Sequence, residues 1–258
     1  MIRATLLALG LVVAPEAQAA PCERLIHDDA PFTVCRIDLR REDVRLFLRN
    51  GDGEVYGTFS RVQAGLGEGE RLGVAMNAGM FHPDLSPVGL YVENGVEERG
   101  IVTREGPGNF GLLPNGVLCM ADGRARVMES RSFAAAPPAC RFATQSGPML
   151  VIDGALHPRF LETSDSLNIR NGVGVTADGR ELIFAIADVP VNFHHFARLF
   201  RDRLGTPNAL YLDGRVSRLH APDIGRSDIG FPVGPIIGTV VRDLAPEPLA
   251  VDAERGGG

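Results

Sequence analysis

The sequence predicts an α+β fold: a single domain with a large mixed, mostly antiparallel β-sheet and few helices. Two observations favour this class. Hairpin-type dipeptides recur along the chain, at Asn94-Gly95, Asn115-Gly116, Asp122-Gly123, Asp153-Gly154 and Asp178-Gly179. Strand and helix patterns do not alternate regularly, which disfavours a Rossmann fold or a TIM barrel.

Short runs of strand-forming residues lie around these turns. The predicted strands are Leu90 to Glu93, Gly116 to Met120, Arg124 to Met128, Met149 to Ile152, Gly172 to Thr176 and Glu181 to Ile186. The stretch from Leu182 to Ala187 is nearly all apolar, which is typical of a strand buried on both faces. A further buried strand, Ala209 to Leu212, ends in Asp213.

One clear amphipathic helix is predicted to begin near Asn192, a good N-cap residue. The residues with helical spacing that we expect to face the core are Phe193, Phe196, Leu199, Phe200 and Leu204. Gly205 is a suitable residue to follow the helix, and Pro207 prevents its continuation. The segment from Ser60 to Gly65 is a second candidate helix.

The first residues are typical of a secretion signal. Arg3 precedes an apolar stretch, Leu6 to Val13, which is too short to span a bilayer, and Ala17-Gln18-Ala19 fits a cleavage site. We therefore expect a signal peptide over residues 1–19, one domain over residues 20–250, and a flexible tail over residues 251–258. A secreted or periplasmic location with no membrane span follows from this interpretation.

The four cysteines agree with an oxidising compartment. Pairing Cys22 with Cys35 and Cys119 with Cys140 closes two short loops and is the simplest of three possible pairings. A metal site is the alternative, but the chain has no CxxC pair and no His at ligand spacing from these cysteines. Disulfides are the preferred interpretation.

Composition excludes several function classes. The formal net charge is −6 with basic residues spread along the chain, which disfavours nucleic-acid binding. All 26 basic residues are Arg, so no Walker or Schiff-base lysine exists and a phosphate would be held by Arg or by backbone N–H groups. Trp is absent and Tyr is scarce, which disfavours a pure carbohydrate-binding module.

Two acids follow apolar strands. Burying Asp213 or Asp188 at a strand end is costly unless the carboxylate is paired with another group or takes part in catalysis. Two such carboxylates suit acid/base or nucleophilic chemistry. The alternative is an Asp that only caps a turn. Gly214, after Asp213, lets the chain turn and lets a ligand approach the backbone.

Other polar residues lie at predicted strand ends. Asn77 suits a sugar hydroxyl or a water, and Arg170 suits a phosphate. Gln145, Ser146 and Gly147 precede a strand, where small polar residues and glycine favour anion binding. An Asx turn at Asn77, a simple turn at residues 145–148 and a surface Arg170 stay open as alternatives.

Three further features are weaker signals. His82 and His157 each precede Pro in a loop and have a pKa suited to proton transfer, although an exposed loop histidine is the commoner case. The segment from Gly106 to Gly111 formally matches GxGxxG, but no helical pattern follows it, so we interpret it as a loop.

Taken in order, several segments resemble the phosphodiester glycosidase family, over about Leu72 to Val241. The matching segments are Asn77 to Phe81, Pro87 to Tyr91, Gln145 to Leu150, Arg170 before Gly172-Val173-Gly174, and Asn208 to Gly214. The resemblance implies a hydrolase that cleaves the anomeric C–O bond of a sugar-1-phosphodiester, such as an N-acetylglucosamine-1-phosphodiester. It releases the free sugar and a phosphomonoester.

The resemblance implies that Asn77, Gln145, Ser146, Arg170, Asp188 and Asp213 line the site. Asp213 or Asp188 is then the nucleophile or base, and Arg170 stabilises the leaving phosphate. No cofactor is expected, and a structural Ca²⁺ stays open. Arg215 departs from the glycines and serine that many relatives have after the Asp, which puts the sugar and aglycone in doubt. The alternatives are a phosphodiesterase that cuts P–O and a non-catalytic periplasmic sugar-phosphate binding or exopolysaccharide or cell-envelope accessory protein.

Overall fold

The computed structural model describes residues 21–213 and 216–242. The predicted signal peptide, Gly214, Arg215 and the predicted tail lie outside the described residues. The strands are β1 (Cys22–His27), β2 (Ala30–Asp38), β3 (Asp43–Phe47), β4 (Glu70–Asn77), β5 (Tyr91–Glu93), β6 (Val96–Arg99), β7 (Gly116–Ala121), β8 (Arg124–Glu129), β9 (Phe142–Ser146), β10 (Met149–Ile152), β11 (Ala155–Leu156), β12 (Asn171–Val175), β13 (Glu181–Ala187), β14 (Asn208–Asp213), β15 (Leu219–Ala221), β16 (Arg226–Ser227) and β17 (Ile236–Arg242). The helices are α1 (Phe59–Gly65), α2 (Ser130–Ala135) and α3 (Phe193–Arg198), with a π-helical turn at Leu199–Arg203 and a 3₁₀ turn at Pro222–Ile224.

The strands form three sheets. The first has the order β1-β2-β13-β12-β14-β10-β11, the second β16-β15-β4-β17-β3, and the third β6-β5-β9-β7-β8. The predicted α+β class, mostly antiparallel with few helices, is confirmed. The largest sheet has seven strands, and the other strands form two further sheets of five strands each; open twisted sheets rarely exceed about ten strands without splitting into packed sheets.

One apolar core lies between the three sheets. Leu210 of the first sheet, Met76 of the second and Leu118 of the third belong to the same buried cluster. Each sheet also has an outer face, and one helix covers each of these faces. The first sheet is covered by α3, the second by α1 and the third by α2. Both faces of each sheet are therefore buried in part, which explains the continuous apolar run of β13.

The predicted amphipathic helix is present. The Asn192 side chain caps α3 by accepting a hydrogen bond from His195 N at 2.8 Å. Phe196 and Phe200 are fully buried, and Gly205 has the left-handed φ of 67° expected after a helix. The candidate helix within Ser60 to Gly65 corresponds to α1. The sequence interpretation missed α2, which follows β8 without an intervening loop.

Two disulfides join the predicted cysteines. Cys22–Cys35 links the paired strands β1 and β2, and Cys119–Cys140 links β7 to the segment before β9. Cross-links of this kind stabilise a fold chiefly by restricting the unfolded chain. Among residues 21–213 and 216–242, no helix is long and apolar enough to cross a membrane.

Candidate functional site

Buried side chains join the three sheets at one end of the molecule. Asn171, at the start of β12, donates from Nδ2 to the backbone O of Asn77 at 3.0 Å and to its Oδ1 at 3.1 Å. Ser146, at the end of β9, donates from Oγ to Leu212 O at 2.9 Å. The ends of β4, β9 and β14 and the start of β12 therefore meet at one place, which we call the sheet junction.

Asp213 is held at this junction through its backbone. Its N–H donates to Asn171 Oδ1 at 2.9 Å, and its carbonyl accepts a hydrogen bond from Ser217 Oγ at 2.7 Å. The register between β12 and β14 shifts here, because Asn171 opposes Asp213 whereas Gly172 opposes Tyr211. Such an irregularity redirects the side chain of a strand-end residue.

Arg170 is a fully buried cation, with 0% of its surface exposed. Its Nε donates to Val191 O and its Nη2 to Ser166 O, both at 2.8 Å. Its guanidinium carbon lies 3.6 Å from the ring centroid of Phe193. In the described part of the chain Nη1 has no hydrogen-bond partner and no carboxylate forms an ion pair with Arg170.

The Tyr211 ring packs edge-on against Phe193, with ring centroids 4.7 Å apart, and lies 5.5 Å from the guanidinium carbon of Arg170. Burial raises the pKa of the Tyr211 hydroxyl; Arg170 opposes the rise and Asp213 adds to it, so the phenol keeps its proton near neutral pH. Burial also lowers the pKa of Arg170, but a guanidinium stays charged in a protein. Arg170, Tyr211 and Asp213 thus form one electrostatically coupled group.

Asn77 contributes a second unsatisfied donor. Its Oδ1 accepts from Asn171 Nδ2 and, at 2.8 Å, from Arg218 N, so the amide nitrogen faces away from both donors. That Nδ2 is buried without a partner among the described residues, as is Nε of Arg218. Buried polar groups are nearly always paired in folded proteins. Unpaired N–H groups around one junction fit a ligand that is rich in acceptor oxygens.

Gln145 is fully engaged by protein groups. Its Oε1 accepts from the N–H groups of Leu90 and Val102, each at 3.0 Å, and its Nε2 donates to Val102 O and to Asn115 Oδ1. Asn115 in turn donates to Phe110 O at 2.9 Å. Gln145 therefore fixes the loop before β7, while a direct contact with substrate stays a prediction.

Gly147 supports the same loop. A Cβ added at Gly147 would lie 2.6 Å from Asn115 Cβ and 3.1 Å from Phe110 O, so any larger residue would push the loop away. The loop carries Asn109, which interacts with the Tyr211 hydroxyl. Gly147 allows this close approach, and no contact places it in an anion site.

Asp188 has a partner of its own. It accepts from Thr33 Oγ1 at 3.0 Å and pairs with Arg226 Nη1 at 2.5 Å, beside a surface groove of about 560 Å³. It follows β13, which is separated from β14 by β12. Its carboxylate is thus directed at Arg226, and the structure does not bring it into the group formed by Arg170, Tyr211 and Asp213.

The two histidines differ in location. His157 is buried, its Nδ1 accepts from Arg159 N at 3.2 Å, and its ring stacks on Phe160, which stacks on Phe193. Burial lowers the pKa of His157, so its neutral form is favoured. His82 is half-buried on the loop between β4 and β5, where its N–H donates to Ser86 O at 2.8 Å.

Several residues at the site were not predicted as site residues. They are Asn109, Asn171, Phe193, Tyr211 and Ser217. Tyr211 could have been found, since a lone Tyr two residues before a strand-end Asp is an unusual polar group in an apolar run. Asn109 belongs to the loop whose GxGxxG pattern was set aside, and Asn171 directly follows Arg170.

A buried arginine with a spare N–H, on an antiparallel α+β scaffold that also carries a strand-end aspartate, is suited to an anionic, oxygen-rich ligand. The sequence profile of the phosphodiester glycosidase family matches residues 70–220. That match covers more than half of the chain and includes Asn77, Arg170 and Asp213. The chain belongs to the phosphodiester glycosidase family.

One relative and several solved structures are similar to this chain. The uncharacterized protein YigE of Escherichia coli (strain K12) is 32% identical over 184 residues, covering 71% of this chain and 72% of YigE. A hypothetical protein from Synechocystis has a TM-score of 0.58 at 14% identity; the match covers 86% of this chain but only 61% of that protein.

Two further structures share the fold. The catalytic domain of zebrafish N-acetylglucosamine-1-phosphodiester alpha-N-acetylglucosaminidase, auto-inhibited by its pro-peptide, gives a TM-score of 0.56 at 14% identity, covering 84% of this chain and 81% of that one. A putative exported protein from Burkholderia pseudomallei gives a TM-score of 0.53 at 13% identity, covering 81% and 74%. At these identities the likeness establishes the fold alone.

Proposed function

We propose that this protein is a hydrolase that cleaves the anomeric C–O bond of a sugar-1-phosphodiester, with N-acetylglucosamine as the sugar. The products are the free sugar and a phosphomonoester. The observation that carries the proposal is Arg170, a fully buried cation with an unpaired Nη1 next to Tyr211, whose hydroxyl also feels the charge of Asp213. Membership of the phosphodiester glycosidase family supports the same reaction class.

Arg170 receives the phosphate in this proposal. Its Nε and Nη2 are anchored on carbonyl oxygens, which leaves Nη1 to donate to a phosphate oxygen. The positive charge lies in a water-poor site, where it interacts with developing negative charge more strongly than in water. The guanidinium is also held in place by Phe193, so little reorganisation is needed when the C–O bond breaks.

Asp213 acts at the anomeric carbon, either as nucleophile or as the base that activates water. Its backbone is fixed by Asn171 and Ser217, which keeps the carboxylate beside the Tyr211 hydroxyl. Since the phosphomonoester is a good leaving group, strong general-acid help is not required. Tyr211, which keeps its proton, donates a hydrogen bond to a substrate oxygen.

The sugar hydroxyls are the acceptors for the remaining unpaired donors. Nδ2 of Asn77 and Nε of Arg218 are buried and have no protein acceptor within the described ranges. Each would regain a hydrogen bond when a hydroxyl or phosphate oxygen enters.

The test is product analysis with an α-N-acetylglucosamine-1-phosphate alkyl diester and three proteins: wild type, Asp213→Asn and Asp188→Asn. We expect free sugar and alkyl phosphate from wild type, at least a thousandfold loss of kcat in Asp213→Asn, and turnover within a few-fold of wild type in Asp188→Asn. Both variants replace one strand-end carboxylate by the isosteric amide; because Asp188→Asn also breaks the ion pair with Arg226, thermal unfolding is measured beside turnover.

Other products would point elsewhere. Sugar phosphate plus alcohol would identify a phosphodiesterase. Retention of the diester without products would favour a non-catalytic sugar-phosphate binding or exopolysaccharide accessory protein. Normal turnover by Asp213→Asn would remove Asp213 from the mechanism, and loss of turnover in Asp188→Asn alone would transfer its role to Asp188.

We also propose that the protein works outside the cytoplasm, in the periplasm or as a secreted protein. The two disulfides support this location, because such bonds persist mainly in oxidising compartments. Cell fractionation with an antibody against the folded domain would locate it, and a purely cytoplasmic signal would contradict the proposal.

A further inference from the structure

Asn171 is fully buried and uses both ends of its side-chain amide. Its Oδ1 accepts the backbone N–H of Asp213 at 2.9 Å, and its Nδ2 donates to the backbone O and the Oδ1 of Asn77 at 3.0 and 3.1 Å. A backbone N–H can only donate, so the Asn171 atom that faces Asp213 must be the oxygen. The orientation of the Asn171 amide is thereby fixed.

The Asn77 amide is fixed in the same way. Its Oδ1 accepts the backbone N–H of Arg218 at 2.8 Å as well as Nδ2 of Asn171. Turning this amide over would place its Nδ2 against two donors and would cost both hydrogen bonds. The nitrogen therefore lies on the opposite side, where it is buried without a partner in the described part of the chain.

These hydrogen bonds form a series with one direction. The Asp213 N–H donates to Asn171, Asn171 donates to Asn77, and Asn77 keeps its own N–H for an acceptor. We call these three residues the amide chain. Each donor in such a series is polarised by the hydrogen bond that its own oxygen accepts, so the last N–H is a stronger donor than an isolated amide.

The unpaired end of the amide chain points to a ligand. Asn171 also connects β12 to β4, and a residue that served only to hold these strands together would leave no buried donor unsatisfied. Buried polar groups are nearly always paired in folded proteins. Nδ2 of Asn77 is an exception among the described residues, and it terminates a series that starts at the backbone of the strand-end Asp213.

We propose that Asn171 is a positioning residue for hydrolysis: it orients the Asn77 amide as a donor to a sugar hydroxyl and holds the backbone of Asp213. This inference rests on the proposed function, in which Asn77 and Asp213 act on the substrate. Asn171 is spent on protein contacts at both ends of its amide, so it acts on the reaction through these two residues.

Asn171→Asp tests the direction of the chain, because it changes one NH₂ group into an oxygen and keeps the shape. The ionised carboxylate still accepts the Asp213 N–H, but its second oxygen faces two oxygens of Asn77 and repels them. Asn77 is then stabilised by turning Nδ2 towards the carboxylate, which takes the donor away from the substrate. The protonated carboxyl group can donate to Asn77 and restores the original series.

The surroundings of this position determine where the introduced carboxyl group titrates. Burial raises its pKa, and so do Asp213 and Asp188, which end the two strands on either side of β12. Arg170 and Arg218 oppose this rise, but their guanidinium groups donate to carbonyl oxygens of other segments. We therefore expect the carboxyl group to change its charge between about pH 5.5 and pH 8.

The experiment measures kcat/KM on the α-N-acetylglucosamine-1-phosphate alkyl diester at pH 5.5 and pH 8, with each variant expressed as a ratio to wild type at the same pH. We expect the Asn171→Asp ratio to be about tenfold higher at pH 5.5 than at pH 8. Asn171→Ala cannot titrate, so its kcat/KM should be about tenfold to a hundredfold below wild type at both pH values. Thermal unfolding at each pH shows that every variant is folded at the assay temperature.

Two controls separate positioning from a structural role. Asn208→Asp makes the same change at the opposite end of β14, where the Asn208 amide bonds to Asp153, and its ratio should change by less than about twofold between the two pH values. In an Asn77→Ala background, Asn171→Asp should lose its recovery at pH 5.5, because the residue through which it acts is absent.

A second measurement uses alanine variants alone and so does not require Asn171→Asp to fold. If Asn171 acts through Asn77, the losses of kcat/KM in Asn171→Ala and Asn77→Ala should combine to much less than their product in the double variant. Losses that multiply would mean that the two residues act independently, and would overturn the proposal.

The outcomes distinguish this inference from the proposed function. Wild-type turnover with an Asn171→Asp ratio that does not change with pH would overturn the positioning role and leave the proposed function intact. Recovery that persists in the Asn77→Ala background would do the same, since the effect would not pass through Asn77. Absence of hydrolysis by the wild type would overturn the proposed function and the positioning role with it.

Discussion

Arg170 and Arg226 lie near the same end of the molecule but in opposite electrostatic settings. Arg226 meets two carboxylates, with Asp188 at 2.5 Å and Asp228 at 3.1 Å. Arg170 meets two carbonyl oxygens and an aromatic ring, and it keeps an unpaired N–H. Among the described residues, the first arginine is paired with two carboxylates, whereas the second forms no ion pair.

The pKa shifts follow the same contrast. Burial lowers the pKa of Arg226, but the hydrogen bonds that it donates to Asp228 and Asp188 outweigh burial, so the pKa is raised overall. Burial lowers the pKa of Arg170 and is only partly offset by Tyr211. A buried cation without a carboxylate partner is a better candidate for function than one in a satisfied ion-pair network.

Removing the charge of Arg170 is the change with the largest expected effect on this contrast. We expect Arg170→Gln to lower kcat on the α-N-acetylglucosamine-1-phosphate alkyl diester by about a hundredfold to a thousandfold, because the leaving phosphate loses its charged donor. Arg170→Lys keeps the charge but not the planar fork, so it should recover part of that loss. The measurements are steady-state kinetics and thermal unfolding of each variant.

Arg226→Gln is the matched control for that experiment. It should leave kcat within a few-fold of wild type but lower the free energy of unfolding by about 2 kcal/mol, because Asp188 and Asp228 are left without their cation. If Arg226→Gln abolished turnover in a folded protein while Arg170→Gln did not, the roles of the two arginines would be reversed.

The Phe193 ring, which lies against the Arg170 guanidinium, allows a second test of this comparison, in which we expect a smaller effect on kcat. Phe193→Leu removes the cation–π contact at 3.6 Å and should lower kcat about three- to thirtyfold, with little change in unfolding temperature. Phe160→Leu is its control, since Phe160 stacks on Phe193 without contacting the guanidinium. Equal losses in both variants would indicate general loosening of the aromatic stack.

The smallest expected effect is a loss of stability in mild acid. The pKa values of His27, His157 and His220 are all lowered in the folded protein, chiefly by burial, from about 6.5 in the unfolded chain. Below pH 6.5 the unfolded chain therefore binds more protons than the folded protein does. The free energy of unfolding then decreases as the pH is lowered. Urea unfolding at pH 7.5 and pH 5.5 checks this, and His157→Gln should reduce the difference.

Local signals were enough to predict much of the fold. The cap at Asn192, the apolar spacing after it and the two short cysteine loops each depend on residues close in sequence, and all three are present in the structure. The division into three sheets was not predictable in this way, because the order of strands in a sheet depends on long-range pairing.

The candidate site shows where sequence patterns stop being informative. Asp188 and Asp213 are alike in sequence, since each follows an apolar strand. The difference between them is set by Arg226, which lies 38 residues from Asp188 in sequence, and by the register shift opposite Asn171. Gln145 was predicted from its place before a strand, but its partners Leu90 and Val102 are 55 and 43 residues away.

The ties that build the sheet junction are all distant in sequence. Arg218 and Asn77 are 141 residues apart, Asn171 and Asn77 are 94 apart, and Ser146 and Leu212 are 66 apart. Two of these contacts join different sheets, Asn171–Asn77 the first and second and Ser146–Leu212 the first and third. The geometry of the candidate site therefore depends on the packing of all three sheets, and a local opening of any one sheet would disturb it.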